Sequence, residues 1–581
     1  MSQTKAQLIA ADATFTISSD ASFNSVSVGK GANSVTNNTV LGLNALDASV
    51  SGDNNTAIGS GALTDLTSGA RNTAVGVNSM ANNLTGVNNV AIGVNTLFDN
   101  TGDNNTALGD AVLFENTSGG NNVGVGKNAL LENTTASNNT AVGYLALSQN
   151  TEGFSNVAVG STALDANTTG DDNVAIGMAA LTASTTGNDN TAVGHDALKA
   201  NTTADQNVAV GSFSLLNNTT ASANTALGYS SLLNNTTGAR NVAVGSTALD
   251  ANTTANNNTA IGFESLTTNT TGLQNTAAGS KTLGNNTTGS NNSALGFFAL
   301  NANTTGSNNV AVGKSALDAN TTASNNTAVG QAALGANTTG DNNTAVGTLA
   351  LDANTTGVSL VGIGYGALGA NTTANQNVAV GQNALGTNTT GATNVAVGHD
   401  ALVANTTANN NTAVGALALT TNTTGSENTA VGKEALEENT TANSNTAVGF
   451  RALEETTTGS SNTAVGRDCL EANTTGASNT AIGRDALSSN TTANNNTAVG
   501  LSVLLSNTTG AFNTAVGSAA LDANTTASNN NSFGYGSLTN NTTGGNNCAF
   551  GRDALNENQT AGNNSAFGHN ALKANTTGAE N

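Results

Sequence analysis

The three histidines, His195, His399 and His569, are the side chains of this sequence best suited to acid–base or metal chemistry. A catalytic or metal site needs several unlike groups that converge on one point. The histidines are separated by 204 and 170 residues, and each is the sixth residue of a 17-residue repeat, so ten or more repeats lie between them. They cannot meet within one chain. The sequence therefore predicts no catalytic residues, no metal ligands, no cofactor and no enzymatic activity.

The two cysteines, Cys469 and Cys548, fall five repeats apart and at different positions of the repeat. If each repeat is one coil that rises by roughly 4.8 Å, the cysteines lie about 24 Å apart. This distance is too long for a disulfide within one chain. We therefore expect that disulfides do not hold the fold.

Aromatic side chains at the sixth position of the repeat form the candidate surface site. An exposed ring beside a carboxylate can bind a sugar by stacking and hydrogen bonding. The alternative is a solvated face with local charge compensation, since Asp468 follows Arg467 and Asp485 follows Arg484. The predicted contact residues at this corner are Tyr144, Tyr229, Phe263, Phe297, Tyr365, Phe450 and Tyr535.

These residues are positioned by 32 repeats with the consensus N-T-A-V-G-x-x-A-L-x-x-N-T-T-G/A-x-x, which begin at Asn38 and continue to the last residue. The repeat that starts at Asn89 has 16 residues, and the repeat at 360 begins with Leu360. Every repeat has glycine at the fifth position, and all but one have leucine at the ninth. A period of this length indicates a solenoid with one coil per repeat.

Within one repeat, Asn-Thr-Ala-Val predicts a short β-strand, the glycine a bend, x-x-Ala-Leu a second short strand, and Asn-Thr-Thr-Gly the return turn. Side chains alternate in a strand, so Ala192 and Val193 point to opposite faces. We expect the bulky fourth row and the leucine row inside the coil, with the alanine row packed against another copy of the chain. The asparagines of the first and twelfth positions, such as Asn190 and Asn201, are expected to form amide ladders.

The prediction is an all-β parallel β-solenoid or β-roll, with residues 1–37 as an N-terminal cap or attachment segment and residues 38–581 as a rod of 32 coils. At roughly 4.8 Å per coil the rod is about 150 Å long. Its thin core favours burial between chains, which predicts a homotrimer or another homo-oligomer. An open terminal coil can also dock onto another copy end to end.

Composition limits the partners. The net charge of −22 disfavours nucleic acid, and the sequence has no apolar stretch long enough to span a membrane as a helix. The first residues lack the continuous apolar segment of a secretory signal. We expect synthesis in the cytoplasm and a final location in a virion or outside the cell.

The run Asn24–Ala32 precedes the first repeat by 14 residues and resembles the head repeats of trimeric autotransporter adhesins. The 17-residue repeats resemble those of tail-fibre and structural proteins of aquatic bacteriophages. This resemblance covers residues 24–581 and implies a trimeric, left-handed parallel β-roll. The chain differs from an autotransporter in lacking a signal peptide, a coiled-coil stalk and a membrane anchor.

These features predict a non-catalytic structural fibre or adhesive rod that mediates attachment or spacing, similar to the shaft of a phage tail fibre. Two alternatives stay open. One is an extracellular filament that assembles by end-to-end docking of coils, and the other is an adhesin whose sixth-position corner binds glycans on a host surface.

Overall fold

The computed structural model describes residues 20–581, apart from the side chain of Phe23. The chain consists of two compact units, Met1–Asn275 and Thr276–Asn581. The strands of the first unit are β1 Ala21–Phe23, β2 Val26–Gly29, β3 Thr39–Gly42, β4 Thr56–Ile58, β5 Thr73–Val75, β6 Val90–Ile92, β7 Thr106–Leu108, β8 Val123–Val125, β9 Thr140–Val142, β10 Val157–Val159, β11 Val174–Ile176, β12 Thr191–Val193, β13 Val208–Val210, β14 Thr225–Leu227, β15 Val242–Val244 and β16 Thr259–Ile261. Those of the second unit are β17 Thr276–Ala278, β18 Ser293–Leu295, β19 Val310–Val312, β20 Thr327–Val329, β21 Thr344–Val346, β22 Val361–Ile363, β23 Val378–Val380, β24 Val395–Val397, β25 Thr412–Val414, β26 Thr429–Val431, β27 Thr446–Val448, β28 Thr463–Val465, β29 Thr480–Ile482, β30 Thr497–Val499, β31 Thr514–Val516, β32 Asn531–Phe533, β33 Cys548–Phe550 and β34 Ser565–Phe567.

Within each unit, the strands of successive repeats pair in parallel and in register. Val174 lies opposite Thr191, and Thr446 lies opposite Thr463, so equivalent residues of neighbouring repeats stack. No helix occurs among residues 20–581, and hence none of the kind that could cross a membrane. The predicted parallel β-solenoid with one coil per 17-residue repeat is confirmed.

The coil that begins at Asn190 shows the course of the chain. The backbone amide of Thr191 donates to the carbonyl of Asn207 in the next coil, at 2.8 Å, and that of Gly194 donates to Ile176 in the preceding coil, at 2.7 Å. The β-branched residues of the strand suit this short extended segment. Gly194 then turns the chain with φ 141°.

The glycine at the fifth position is required for two reasons. A φ of 141° is a conformation that side chains rarely adopt. In addition, a Cβ atom on Gly194 would lie 2.6 Å from the carbonyl carbon of Gly211, which stacks on it. The predicted bend with a close backbone approach is confirmed.

The predicted second strand at x-x-Ala-Leu is wrong. Residues 195–200 form turns, and Asp196 and Leu198 have φ values of 57° and 50°. A left-handed conformation costs a leucine about 1–2 kcal/mol. Burial of its side chain contributes about 1.5–3 kcal/mol, and Leu198 is fully buried. Burial therefore outweighs the backbone preference, and the segment turns where propensity favours a strand.

The expected assignment of the strand faces is also wrong. Ala192 is fully buried inside the coil, whereas Ile176, a member of the fourth row, is 40% exposed. The interior is filled by the alanines of the third and eighth positions, the leucine of the ninth and the two asparagines. Since this space is narrow, the small alanine side chain occupies it and the bulky fourth row faces outward. The alanine row is thus unavailable for contact with another chain.

The asparagine ladders are confirmed and lie in the interior. At the twelfth position, the amide of Asn235 donates to the Oδ1 atom of Asn218 at 2.9 Å and to the carbonyl of Gly238 at 2.9 Å. At the first position, the Oδ1 atom of Asn173 accepts from the backbone amide of Asn190 at 3.0 Å. Both rows satisfy backbone groups that would otherwise be buried without a partner.

The predicted N-terminal segment, residues 1–37, lies partly outside the described residues. From residue 20 onward, β1 pairs with β2 and β2 with β3, in both cases antiparallel. The carboxylate of Asp20 accepts from the backbone amide of Gly31 at 2.8 Å. This arrangement differs from the parallel coils that follow, and the boundary at residue 37 stays a prediction.

Candidate functional site

The seven aromatic residues of the predicted corner are all exposed, from 38% for Phe450 to 58% for Tyr535. The turn after the fifth-position glycine places the sixth side chain at the surface. The seven residues belong to non-adjacent coils, so their rings do not form one continuous platform. Two of them contact cations, since Arg552 lies over the ring of Tyr535 at 5.5 Å and Arg451 over that of Phe450 at 5.1 Å.

The arginines at the corner pair with the next residue, as the alternative of charge compensation requires. The Nε atom of Arg467 lies 2.8 Å from the Asp468 carboxylate, and that of Arg484 lies 3.1 Å from Asp485. The two arginine side chains are 65% and 58% exposed, so solvent screens these pairs and they contribute little to stability, although their carboxylate partners are only 14% and 28% exposed.

The histidines lie at separate points of the surface. His195 contacts Asp196 at 3.8 Å and His399 contacts Asp400 at 3.3 Å. His569 is hydrogen bonded to Asn570 at 3.0 Å. Each histidine thus contacts its own neighbour in sequence.

Sequence reasoning missed a cluster of carboxylates formed by Glu434, Glu437 and Glu454, whose oxygen atoms lie within 4.8 Å of one another. Hydrogen bonds from Lys433 and Arg451 hold the pKa of Glu434 below its ordinary value. Burial, and then the neighbouring carboxylates, raise the pKa of Glu437. The signal was present in the sequence as glutamate at the tenth position of adjacent repeats, Glu437 and Glu454, with Glu434 at the seventh position of the first.

The thiols differ in environment. Cys469 is buried, and Cys548, on β33, is half-buried; both are free. Burial raises the pKa of Cys469 to about 12, and its Sγ atom lies 3.1 Å from the carbonyl of Ala481. The two thiols are not bonded to each other in the structure.

The outward face of the strands carries an apolar row that sequence reasoning had placed inside. The second and fourth positions of all 32 repeats contain no charged residue. In the second unit, six successive coils expose their fourth side chains by 36–40%. These residues are Val397, Val414, Val431, Val448, Val465 and Ile482. Further along the same row, the rings of Phe533 and Phe550 stack with centroids 4.6 Å apart.

A surface groove of about 270 Å³ lies beside Tyr365 in the second unit. It exists because three glycines stand together at the seventh and tenth positions of adjacent coils, where most other coils carry side chains. The groove is lined by Leu349, Asp352, Tyr365, Gly366, Gly369, Asn383, Gly386, Thr387 and Val403. Burial raises the pKa of Asp352 above its ordinary value. Tyr365 is therefore the one predicted corner residue that the described part of the chain shows at the edge of this groove.

No protein-family model matches this chain, and no curated protein sequence matches it. The structure places the chain among repeat proteins with a parallel β-solenoid fold of 17-residue coils.

Proposed function

We propose that this protein is a non-catalytic structural and adhesive fibre whose copies associate laterally through the outward face of the strands. The observation that carries the proposal is the row of exposed fourth-position side chains from Val397 to Ile482. Contiguous exposed apolar surface of this extent is unusual in a soluble monomer and marks an interaction site.

The spacing of this row favours a second copy of the chain as its partner. Parallel strands repeat at roughly 4.8 Å, and the row presents a side chain of similar size at each step. A second copy has the same pitch, so its side chains can fit between those of the first over many coils. The absence of charge at the second and fourth positions removes electrostatic repulsion between two identical faces. Three copies around one axis are the stoichiometry that the resemblance to phage fibres and adhesin heads implies.

Sedimentation equilibrium of the full chain tests this proposal. We expect a discrete trimer. A monomer at all concentrations would overturn the proposal, and open-ended polymers would support end-to-end assembly in its place.

A pair of variants tests the face itself. Val431→Lys with Val465→Lys places two charges in the outward row, two coils apart, and is expected to shift the protein to monomer. Thr441→Lys with Thr475→Lys adds the same charges to the same coils at exposed turn positions and is expected to leave the mass unchanged. Circular dichroism verifies that both variants are folded. If the first pair still associates like the unmodified chain, the contact lies elsewhere.

A further inference from the structure

The groove beside Tyr365 is a local departure from an otherwise regular surface. The tenth position holds Gly369 and Gly386 in adjacent coils, whereas Lys199 and Leu233 occupy it elsewhere. At the seventh position, Gly366 has φ 62°, the same conformation that Asp196 adopts in its coil. The coil geometry therefore accepts side chains at these positions, and their loss creates the space.

Two polar groups beside this space are hydrogen-bond acceptors. A Cβ on Gly369 would lie 3.4 Å from Oδ1 of Asp352, and a Cβ on Gly366 would lie 3.1 Å from Oδ1 of Asn383. The two side-chain oxygens thus flank the positions from which side chains are missing. The Asn383 amide nitrogen already donates to Asp400, at 3.0 Å. A ligand in the groove must therefore supply donors.

We infer that this groove binds a neutral pyranose sugar, with its ring against Tyr365 and its hydroxyl groups donating to Asp352 and Asn383. Tyr365 is 55% exposed and provides an aromatic face, while Leu349 and Val403 provide apolar contacts. The Asp352 carboxylate and the net charge of −22 disfavour anionic sugars. A volume of about 270 Å³ suits one ring.

This inference rests on the proposed adhesive function and gives it a ligand class. A single shallow site binds weakly by itself. Copies of the chain held together in a fibre would present several such sites to one surface, which raises the overall avidity without new contacts.

Saturation-transfer-difference NMR on the full chain, with the methyl glycosides of glucose, galactose and mannose as probes, tests the inference. We expect transfer to at least one glycoside. Tyr365→Ala and Gly369→Leu, which fills the groove, are each expected to weaken binding by about tenfold or more. The absence of transfer to all three glycosides would overturn the inference. Transfer to tetramethylammonium in place of the glycosides would show that the ring of Tyr365 takes a cation and not a sugar.

Two matched controls keep the test specific. Tyr144→Ala removes an equally exposed ring at the same position of another coil. Gly335→Leu makes the same substitution at the tenth position outside the groove, where the glycine has no positive φ. Both are expected to bind the glycoside as the unmodified chain does, and equal losses in the controls would overturn the assignment. The mass in solution reports separately on lateral association, so the failure of one proposal is distinguishable from that of the other.

Discussion

The asparagine ladder of the twelfth position is interrupted at Ser184, and its repair is a direct test of the ladder's contribution to stability. The amide of Asn167 donates to Asn150 at 2.8 Å, but the Oδ1 atom of Asn167 is buried without a partner. The hydroxyl of Ser184, in the next coil, is also buried without a partner. In the coil after Ser184, the side-chain amide of Asn201 donates to the carbonyl of Ala204 and makes no bond to the ladder residue before it.

Ser184→Asn is expected to stabilise this part of the first unit by about 2 kcal/mol. The new amide would donate to Asn167, and its oxygen would accept from Asn201, which adds two hydrogen bonds of about 1 kcal/mol each and satisfies a buried acceptor. The site accepts asparagine because equivalent positions in most other coils contain it. Because a repeat protein opens locally, hydrogen exchange read by mass spectrometry is the suitable measurement.

Peptides that cover residues 165–205 should exchange about 30-fold more slowly in the variant, the factor that about 2 kcal/mol implies. Thr186→Asn is the matched control, since it adds the same amide to an exposed position of the same coil and should not change exchange. Unchanged exchange in Ser184→Asn, or equal slowing in both variants, would refute the contribution assigned to the ladder.

Three further outcomes follow from the coil geometry. Gly194→Ala is expected to cost about 3 kcal/mol in local stability, measured by hydrogen exchange, because Gly194 has a φ of 141°. Gly187→Ala should cost less, since Gly187 has no positive φ and adjacent coils carry Ala204 and Ala221 at its position, although the Ala204 carbonyl, 2.5 Å from the new Cβ, must shift. Burial raises the pKa of Asp318, so the folded state binds this proton more tightly than the unfolded chain does. Local stability should therefore rise as the pH falls through the folded pKa, and Asp318→Asn should abolish that part of the pH dependence of exchange. Thiol titration of the native protein should modify the half-buried Cys548 before Cys469, whose pKa is about 12 and which should react only on unfolding.

The period of the sequence was sufficient to predict the stacking of coils, because equivalent residues can satisfy one another's backbone groups only in register. The glycine bend was predictable for a similar reason, since the fifth position of all 32 repeats contains glycine. The face of each strand was not predictable from hydrophobicity, because Ala192 and Val193 are both apolar. The deciding information was the alternation with Asn190, which is buried on the same side as Ala192.

The turn that contains Leu198 could not be predicted from propensity, because the left-handed conformation of this leucine depends on the burial of its side chain inside the coil. The groove had a readable signal, which is glycine at the tenth position of adjacent repeats, Gly369 and Gly386. Its depth beside Tyr365 depends on the stacking of those coils, and only the structure gives that.

The outward row raises the question of whether a contact or merely strand propensity keeps charge away from it. The chain is 9% charged, so about six of the 64 residues at the second and fourth positions would be charged if charge were spread evenly, and none is. Preference for β-branched residues explains part of this bias, since lysine and glutamate are modestly depleted in strands. Charges on a solvated face nevertheless protect strands from unwanted association. Val431→Lys with Val465→Lys separates the two causes. If strand propensity alone excludes charge, the backbone amides of β26 and β28 exchange faster in the variant and its mass in solution is unchanged. If a contact between copies excludes charge, these amides keep their protection from exchange and the variant is a monomer.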